Sequence, residues 1–88
     1  MDKKLAIILA YYNGEEFINE LIDSIFAQTF SNFHIYIFDD KSTIPFDVEI
    51  LNLDLDQKKK ISVCRRKINL GYCINFLKGL SEIDDKYE

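Results

Sequence analysis

Leu5-Ala6-Ile7-Ile8-Leu9-Ala10 is an unbroken apolar run. A strand with one wet face alternates apolar and polar residues, whereas a strand covered on both faces does not, so this run predicts a strand inside a layered α/β fold. Asn13 follows, offering a side-chain oxygen as a helix N-cap, and Glu15-Glu16 complement the positive end of a helix dipole. Phe17, Ile18, Leu21, Ile22, Ile25 and Phe26 then recur at the spacing of one helical face, with Glu20 and Asp23 opposite. That helix should close near Gln28.

Ser31-Asn32 read as a turn, and His34 to Phe38, rich in β-branched and aromatic residues, as a second strand. It runs into Asp39-Asp40-Lys41-Ser42-Thr43. In 45–57 the apolar residues Val48, Ile50, Leu51, Leu53 and Leu55 mix strand and helix periods, and a short helix is the expectation. Ile61 to Arg65 is a third strand. Leu70, Cys73, Ile74, Leu77, Leu80 and Ile83 return to helical spacing, so 71–84 predicts a second long helix. Strands separated by helical crossovers imply a parallel sheet with helices on both faces, a Rossmann-like three-layer αβα fold. With no linker and no repeat, 1–88 is one domain.

Composition narrows the function. Of the 88 residues, 48% are hydrophobic and 30% charged, which supports a packed core and opposes disorder. Eleven basic against fifteen acidic residues give a net charge of −4, unsuited to a general nucleic-acid binder, which displaces counterions with a basic face. Two cysteines do not make a disulfide scaffold, and the lone His34 is far from both in sequence, so no metal site is expected; Cys64 and Cys73 read as buried thiols. No apolar run approaches the roughly 18 residues of a membrane span. The N-terminal apolar run ends in Asn13-Gly14-Glu15-Glu16 and not at a small-residue cleavage site, so it reads as a strand and not a signal peptide, and the expected compartment is the reducing cytoplasm.

In open parallel sheets ligands bind at the carboxyl ends of the strands. Here those ends deliver Tyr11-Tyr12-Asn13, Asp39-Asp40, and Arg65-Arg66-Lys67 followed by Asn69-Leu70-Gly71. An aromatic ring can stack on a base, a carboxylate can accept an N–H from its edge, and a helix N-terminus can meet phosphate, so the three ends together suggest a nucleotide pocket. Tyr12 reads as a stacking platform or a half-buried packing residue, and Tyr11, on the opposite side of an extended chain, as a packing residue. Asp39-Asp40 read as base ligands or as a capping or solvated pair. Arg66 is the candidate phosphate contact. Lys58-Lys59-Lys60 read as a solvated loop, with a membrane surface as the alternative partner of the basic patch. Gly14 stands alone after the first strand, so the Gly-x-Gly-x-x-Gly of dinucleotide-dependent oxidoreductases is absent.

Three blocks resemble family 2 glycosyltransferases. They are the string from Leu5 to Ile18; Ser24-Ile25-Phe26-Ala27-Gln28-Thr29-Phe30 with Ile35 to Thr43; and Asn69-Leu70-Gly71-Tyr72-Cys73-Ile74-Asn75-Phe76, the last close to rhamnosyltransferase-like members. The resemblance covers nearly the whole chain. It implies a GT-A fold with strand order 3-2-1 and inverting transfer of a sugar from a nucleoside diphosphate, a UDP-sugar or dTDP-sugar, to an acceptor hydroxyl in polysaccharide or glycan synthesis. It also assigns roles: Tyr12 stacks on the base, Asp40, with Asp39 second, accepts the N3–H of uracil or thymine, and Gly71 and Asn75 form the base and ribose wall. The family's divalent metal (Mg or Mn), its Asp-x-Asp ligands after a fourth strand and its catalytic base all fall beyond the matched blocks. No catalytic or metal-binding residue is therefore assigned here, and the chain is expected to be a nucleotide-binding N-terminal part, not catalytic as it stands.

The competing expectation is an interaction module. With strand order 3-2-1, strand one becomes a long apolar edge of the kind that recruits another chain, which predicts a homo-oligomer. For the whole enzyme, peripheral membrane association is the further expectation.

Overall fold

A computed structural model describes residues 5–71 together with Ile74, Asn75 and Gly79. Strand β1 (Leu5–Tyr11) is followed by helix α1 (Glu15–Phe26) and strand β2 (Phe33–Asp39). A 3-10 turn (Val48–Ile50), a one-turn helix α2 (Leu55–Lys58) and strand β3 (Ile61–Arg65) complete the described elements. All pairings are parallel, with β2 in the centre: Ile7 is opposite Ile35 and Tyr11 opposite Asp39, while Ile37 is opposite Val63 and Asp39 opposite Arg65. The expected parallel α/β sheet and its order, with β1 and β3 flanking β2, are present.

The period of two in β2 sorts its side chains. Phe33, Ile35 and Ile37 point into a core shared with Tyr11, with Ile18, Ile22 and Ile25 of α1, and with Phe46 and Leu51 from the segment after β2. Fully burying an isoleucine contributes about 1.5–3 kcal/mol, and Ile22, Ile35 and Ile37 are all at 0% exposure. Phe26 tilts against Phe33, and the Tyr11 and Phe46 rings meet edge to face at 5.1 Å. On the opposite face, Phe38 packs where Gly79 is buried: a Cβ on that glycine would lie 2.6 Å from the Phe38 ring. Gly79 and Asn75 are helical, so helix covers this second face too.

Several local expectations change. Leu5 to Ala10 are not fully buried; β1 pairs with β2 along one side, and among the described residues only Tyr11 of this strand is sealed. Two of the six residues of the anticipated α1 face are open: Ile18, Ile22 and Ile25 are buried and Phe26 is partly so, whereas Phe17 and Leu21 are exposed at 68% and 43%. Asn13 does not cap α1; the N-cap position is Gly14, with no side-chain cap, and the Asn13 side chain bonds to Thr43. The 45–57 segment is not one helix but two short pieces. The second is held by a capping box in which Asp54 Oδ1 accepts from the Gln57 N–H at 2.8 Å and Gln57 Oε1 accepts from the Asp54 N–H at 3.0 Å. Cys64 is exposed on β3, which pairs with β2 alone among the described residues, and Cys73 lies outside them. Most of the 71–84 helix lies there as well. Of its described positions, Asn75 and Gly79 are buried and Ile74 is exposed, so Ile74 does not face the core as the apolar spacing suggested.

Candidate nucleotide site

The strand ends converge because the β-ladder continues past them. The Asp40 N–H donates to the Tyr11 carbonyl at 2.8 Å and the Arg66 N–H to the Asp39 carbonyl at 2.8 Å. At this rim a cavity of about 590 Å³ opens, lined by Tyr11 and Tyr12 from the end of β1, Phe17 and Leu21 from α1, and Asp40, Asn69, Gly71 and Asn75 from the far side. Tyr12 and Asp40 thus share one cleft. Tyr12 is 54% exposed, while Asp40 is 2% exposed.

The two adjacent aspartates do different things. Successive residues of an extended chain point to opposite sides. Asp39 turns inward: Oδ1 accepts from the Ser42 N–H at 3.0 Å, Oδ2 from the Phe46 N–H at 2.8 Å and from Arg65 Nη1 at 2.9 Å. It ties down the loop after β2, in which Lys41 adopts the left-handed region at φ 59°. Burial alone would raise its pKa, but the hydrogen bonds from Phe46 and Ser42 and the Arg65 charge outweigh it and hold the carboxyl below its ordinary value. Asp39 is absent from the cavity lining.

Asp40 turns toward the segment after β3. Oδ1 accepts from the Leu70 N–H at 2.7 Å and Oδ2 from the Gly71 N–H at 2.8 Å. Each oxygen uses one lone pair this way and keeps a second. Asn69, a residue the sequence reading placed at the strand end without a role, completes the clamp: its Nδ2 donates to the Asp40 carbonyl at 3.2 Å and its Oδ1 accepts from the Gly71 N–H at 3.1 Å. Gly71 sits at φ 84°, which favours glycine. An Asn followed two positions later by Gly is a turn signal, and it was the available clue to this clamp.

The other two candidates pair with each other. Arg66, 7% exposed, donates from Nε to Asn75 Oδ1 at 2.9 Å and stacks over the Phe38 ring at 4.8 Å. Asn75 Nδ2 donates to the Phe38 carbonyl at 2.7 Å. Asn75 still borders the cavity, but Arg66 borders a separate depression of about 450 Å³ with Arg65, Lys67, Ile68, Leu70 and Ile74. Among the described residues no three His, Cys, Asp or Glu side chains gather as metal ligands, so the divalent ion implied by the resemblance has no donor set there. No described helix is long and apolar enough to cross a membrane.

The model of Glycosyl transferase family 2 matches residues 6–87. An uncharacterized glycosyltransferase of Haemophilus influenzae is 34% identical over 85 residues, covering 94% of this chain and 25% of that protein. The succinoglycan biosynthesis protein ExoW of Rhizobium meliloti is 33% identical over 64 residues, 72% of this chain and 20% of its own length. A poly(ribitol-phosphate) beta-glucosyltransferase of Bacillus spizizenii is 34% identical over 70 residues, 77% of this chain and 11% of its own. The chain therefore spans a quarter or less of the length of each.

Proposed function

Since the chain belongs to glycosyl transferase family 2, we propose that the cavity between Tyr12 and Asp40 receives the nucleoside of a UDP-sugar or dTDP-sugar, as the donor-binding part of an inverting enzyme that glycosylates an acceptor hydroxyl in cell-surface polysaccharide synthesis. The observation that carries this reading is the shared cleft: an exposed ring and a clamped carboxylate, from the ends of two adjacent strands, line one cavity of about 590 Å³. Tyr12 stacks on the base. The lone pairs that Asp40 keeps beyond its bonds to Leu70 and Gly71 accept the imide N–H of uracil or thymine. Cytosine presents an acceptor at that ring position and is repelled, so the arrangement selects among pyrimidines. The relatives named for succinoglycan and for poly(ribitol-phosphate) support the polysaccharide setting. Membrane association of the whole enzyme is part of the proposal, with the depression bounded by Arg65, Lys67 and Ile68 as its candidate surface.

Titrating UDP, dTDP and CDP into the 88-residue chain and following amide shifts tests the site. UDP and dTDP should move the amides of Tyr12, Asp40 and Gly71 and CDP should not; Tyr12→Phe should keep the response and Tyr12→Ala lose it. No shifts at millimolar UDP would refute the site. The competing self-association reading finds no support in these relatives, and the exposed Phe17 and Leu21 of α1 line the cavity itself. A monomer across a wide concentration range in sedimentation velocity removes it.

A further inference from the structure

Tyr12 has a positional problem that its own side chain does not solve. The residue is more than half exposed, so core packing does little to set the ring's direction and the backbone on either side must. On one side the Tyr11 carbonyl is held by the Asp40 N–H at 2.8 Å. On the other, Asn13 makes two bonds to the loop after β2: its N–H donates to Ser42 Oγ at 2.8 Å, and its Oδ1 accepts from the Thr43 N–H at 2.8 Å. Asn13 adopts φ 50°, a left-handed conformation that asparagine tolerates better than other residues with side chains. Its partner is rigid. Ser42 is 1% exposed, its N–H is held by Asp39 and its carbonyl accepts from Arg65 Nη2 at 3.0 Å.

We propose that Asn13 is a positioning residue, a latch that ties the β1–α1 turn to the loop after β2 and so fixes the Tyr12 ring opposite the Asp40 carboxylate. Its functional consequence rests on the nucleoside reading above; the latch itself rests on the geometry. Both contacts join residues about thirty apart in sequence, and Asn13 and Thr43 are themselves exposed, so losing the side-chain bond frees a loop without opening the core.

The test compares Asn13→Ala, Asn13→Gly and Asn13→Asp in the full chain, with uridine as the probe because it carries no phosphate for an added carboxylate to repel. Glycine keeps the backbone conformation and loses the acceptor; aspartate keeps both. Asn13→Ala and Asn13→Gly should weaken uridine binding by about tenfold, the scale of one hydrogen bond, and expose the Thr43 amide to hydrogen exchange. Asn13→Asp should restore both, and the Ile35 and Ile37 amides should stay protected throughout. Wild-type affinity in Asn13→Ala overturns the proposal, as does loss of protection at Ile35 and Ile37, which would make Asn13 a residue of general stability. If the wild type binds no uridine, the nucleoside reading falls and the latch is decided by Thr43 exchange alone: protection that survives Asn13→Ala and Asn13→Gly overturns it, and protection lost there but kept in Asn13→Asp upholds it.

Discussion

Asp39 and Arg65 stand opposite each other in the β2–β3 register, and Arg65 Nη1 lies 2.9 Å from Asp39 Oδ2. The carboxylate is fully buried and the guanidinium about one-third exposed, so the pair closes the sheet end from the solvent side. Asp39 thereby supports the rim on which its neighbour Asp40 faces the cavity. One aspartate shapes the loop after β2, and the other is clamped by the segment after β3.

This pairing makes a pH prediction. The folded-state pKa of Asp39 is below the unfolded one, because hydrogen bonds and Arg65 overcome the effect of burial. Its stabilisation is therefore fully present above the unfolded pKa, about 4, and is lost as pH falls through the folded value. Urea unfolding from pH 6 down to pH 2 should show the wild type losing stability below about pH 4. Asp39→Asn should be less stable at pH 6 by about 1–3 kcal/mol, from the broken network, with a shallower pH dependence. Parallel curves for the two proteins would contradict the assignment.

Tyr11 carries the opposite kind of group. It is 5% exposed, and its hydroxyl has no hydrogen-bond partner among the described residues. Burial first, then the Glu15 and Asp39 carboxylates, push its pKa above the ordinary 10.0; the Glu15 side chain and the Gly14 backbone come near the hydroxyl, the first adding to the rise and the second opposing it, but neither meets hydrogen-bond geometry. The ring stays useful against Phe46, but the hydroxyl is a cost. Tyr11→Phe should be neutral or stabilise by up to about 1 kcal/mol, since it removes an unsatisfied buried group and keeps the packing. A clear loss in urea midpoint would mean the hydroxyl has a partner in solution.

These two residues also show what the sequence could and could not convey. The apolar run before Tyr11 and the β-branched and aromatic run before Asp39 gave the strands, because an unbroken apolar run and residue preference are local properties. That Tyr11 and Tyr12 would take opposite sides followed from alternation along an extended chain, but which of the two would stay exposed did not. The separate tasks of Asp39 and Asp40 did not follow, because they depend on Ser42, Phe46, Leu70 and Gly71 offering N–H groups from loops whose paths are set by tertiary contacts. Asn13 had good capping chemistry, but Ser42 and Thr43 competed for it from thirty residues away. Arg66 sat at a promising strand end, yet Phe38 and Asn75 gave its guanidinium a buried seat that no spacing revealed.

Gly79 offers a test of the second helical layer. Alanine in a helix is favoured over glycine by about 1 kcal/mol, so an exposed site would gain. Here the new Cβ would lie 2.6 and 2.7 Å from two carbons of the Phe38 ring, and that ring is buried with the Arg66 guanidinium over its face. Overpacking of this kind costs about 1–3 kcal/mol. Gly79→Ala should therefore lower the melting temperature. An increase would mean that the helix does not approach Phe38 this closely.

Gly71 fails differently when changed, and the difference isolates backbone strain at the site. Its φ is 84°, and a Cβ placed there would meet no atom within 4 Å. Any penalty is therefore conformational and not steric crowding by neighbours. Gly71→Ala should destabilise by about 1–2 kcal/mol, the cost of a left-handed backbone for an L-residue. Gly71→Asn should cost less, because asparagine tolerates positive φ. Both would loosen the N–H that holds Asp40 Oδ2, so uridine affinity should fall in the same order, alanine more than asparagine. Equal stability losses for the two substitutions, or affinity losses in the reverse order, would separate the clamp on Asp40 from the conformation of this glycine.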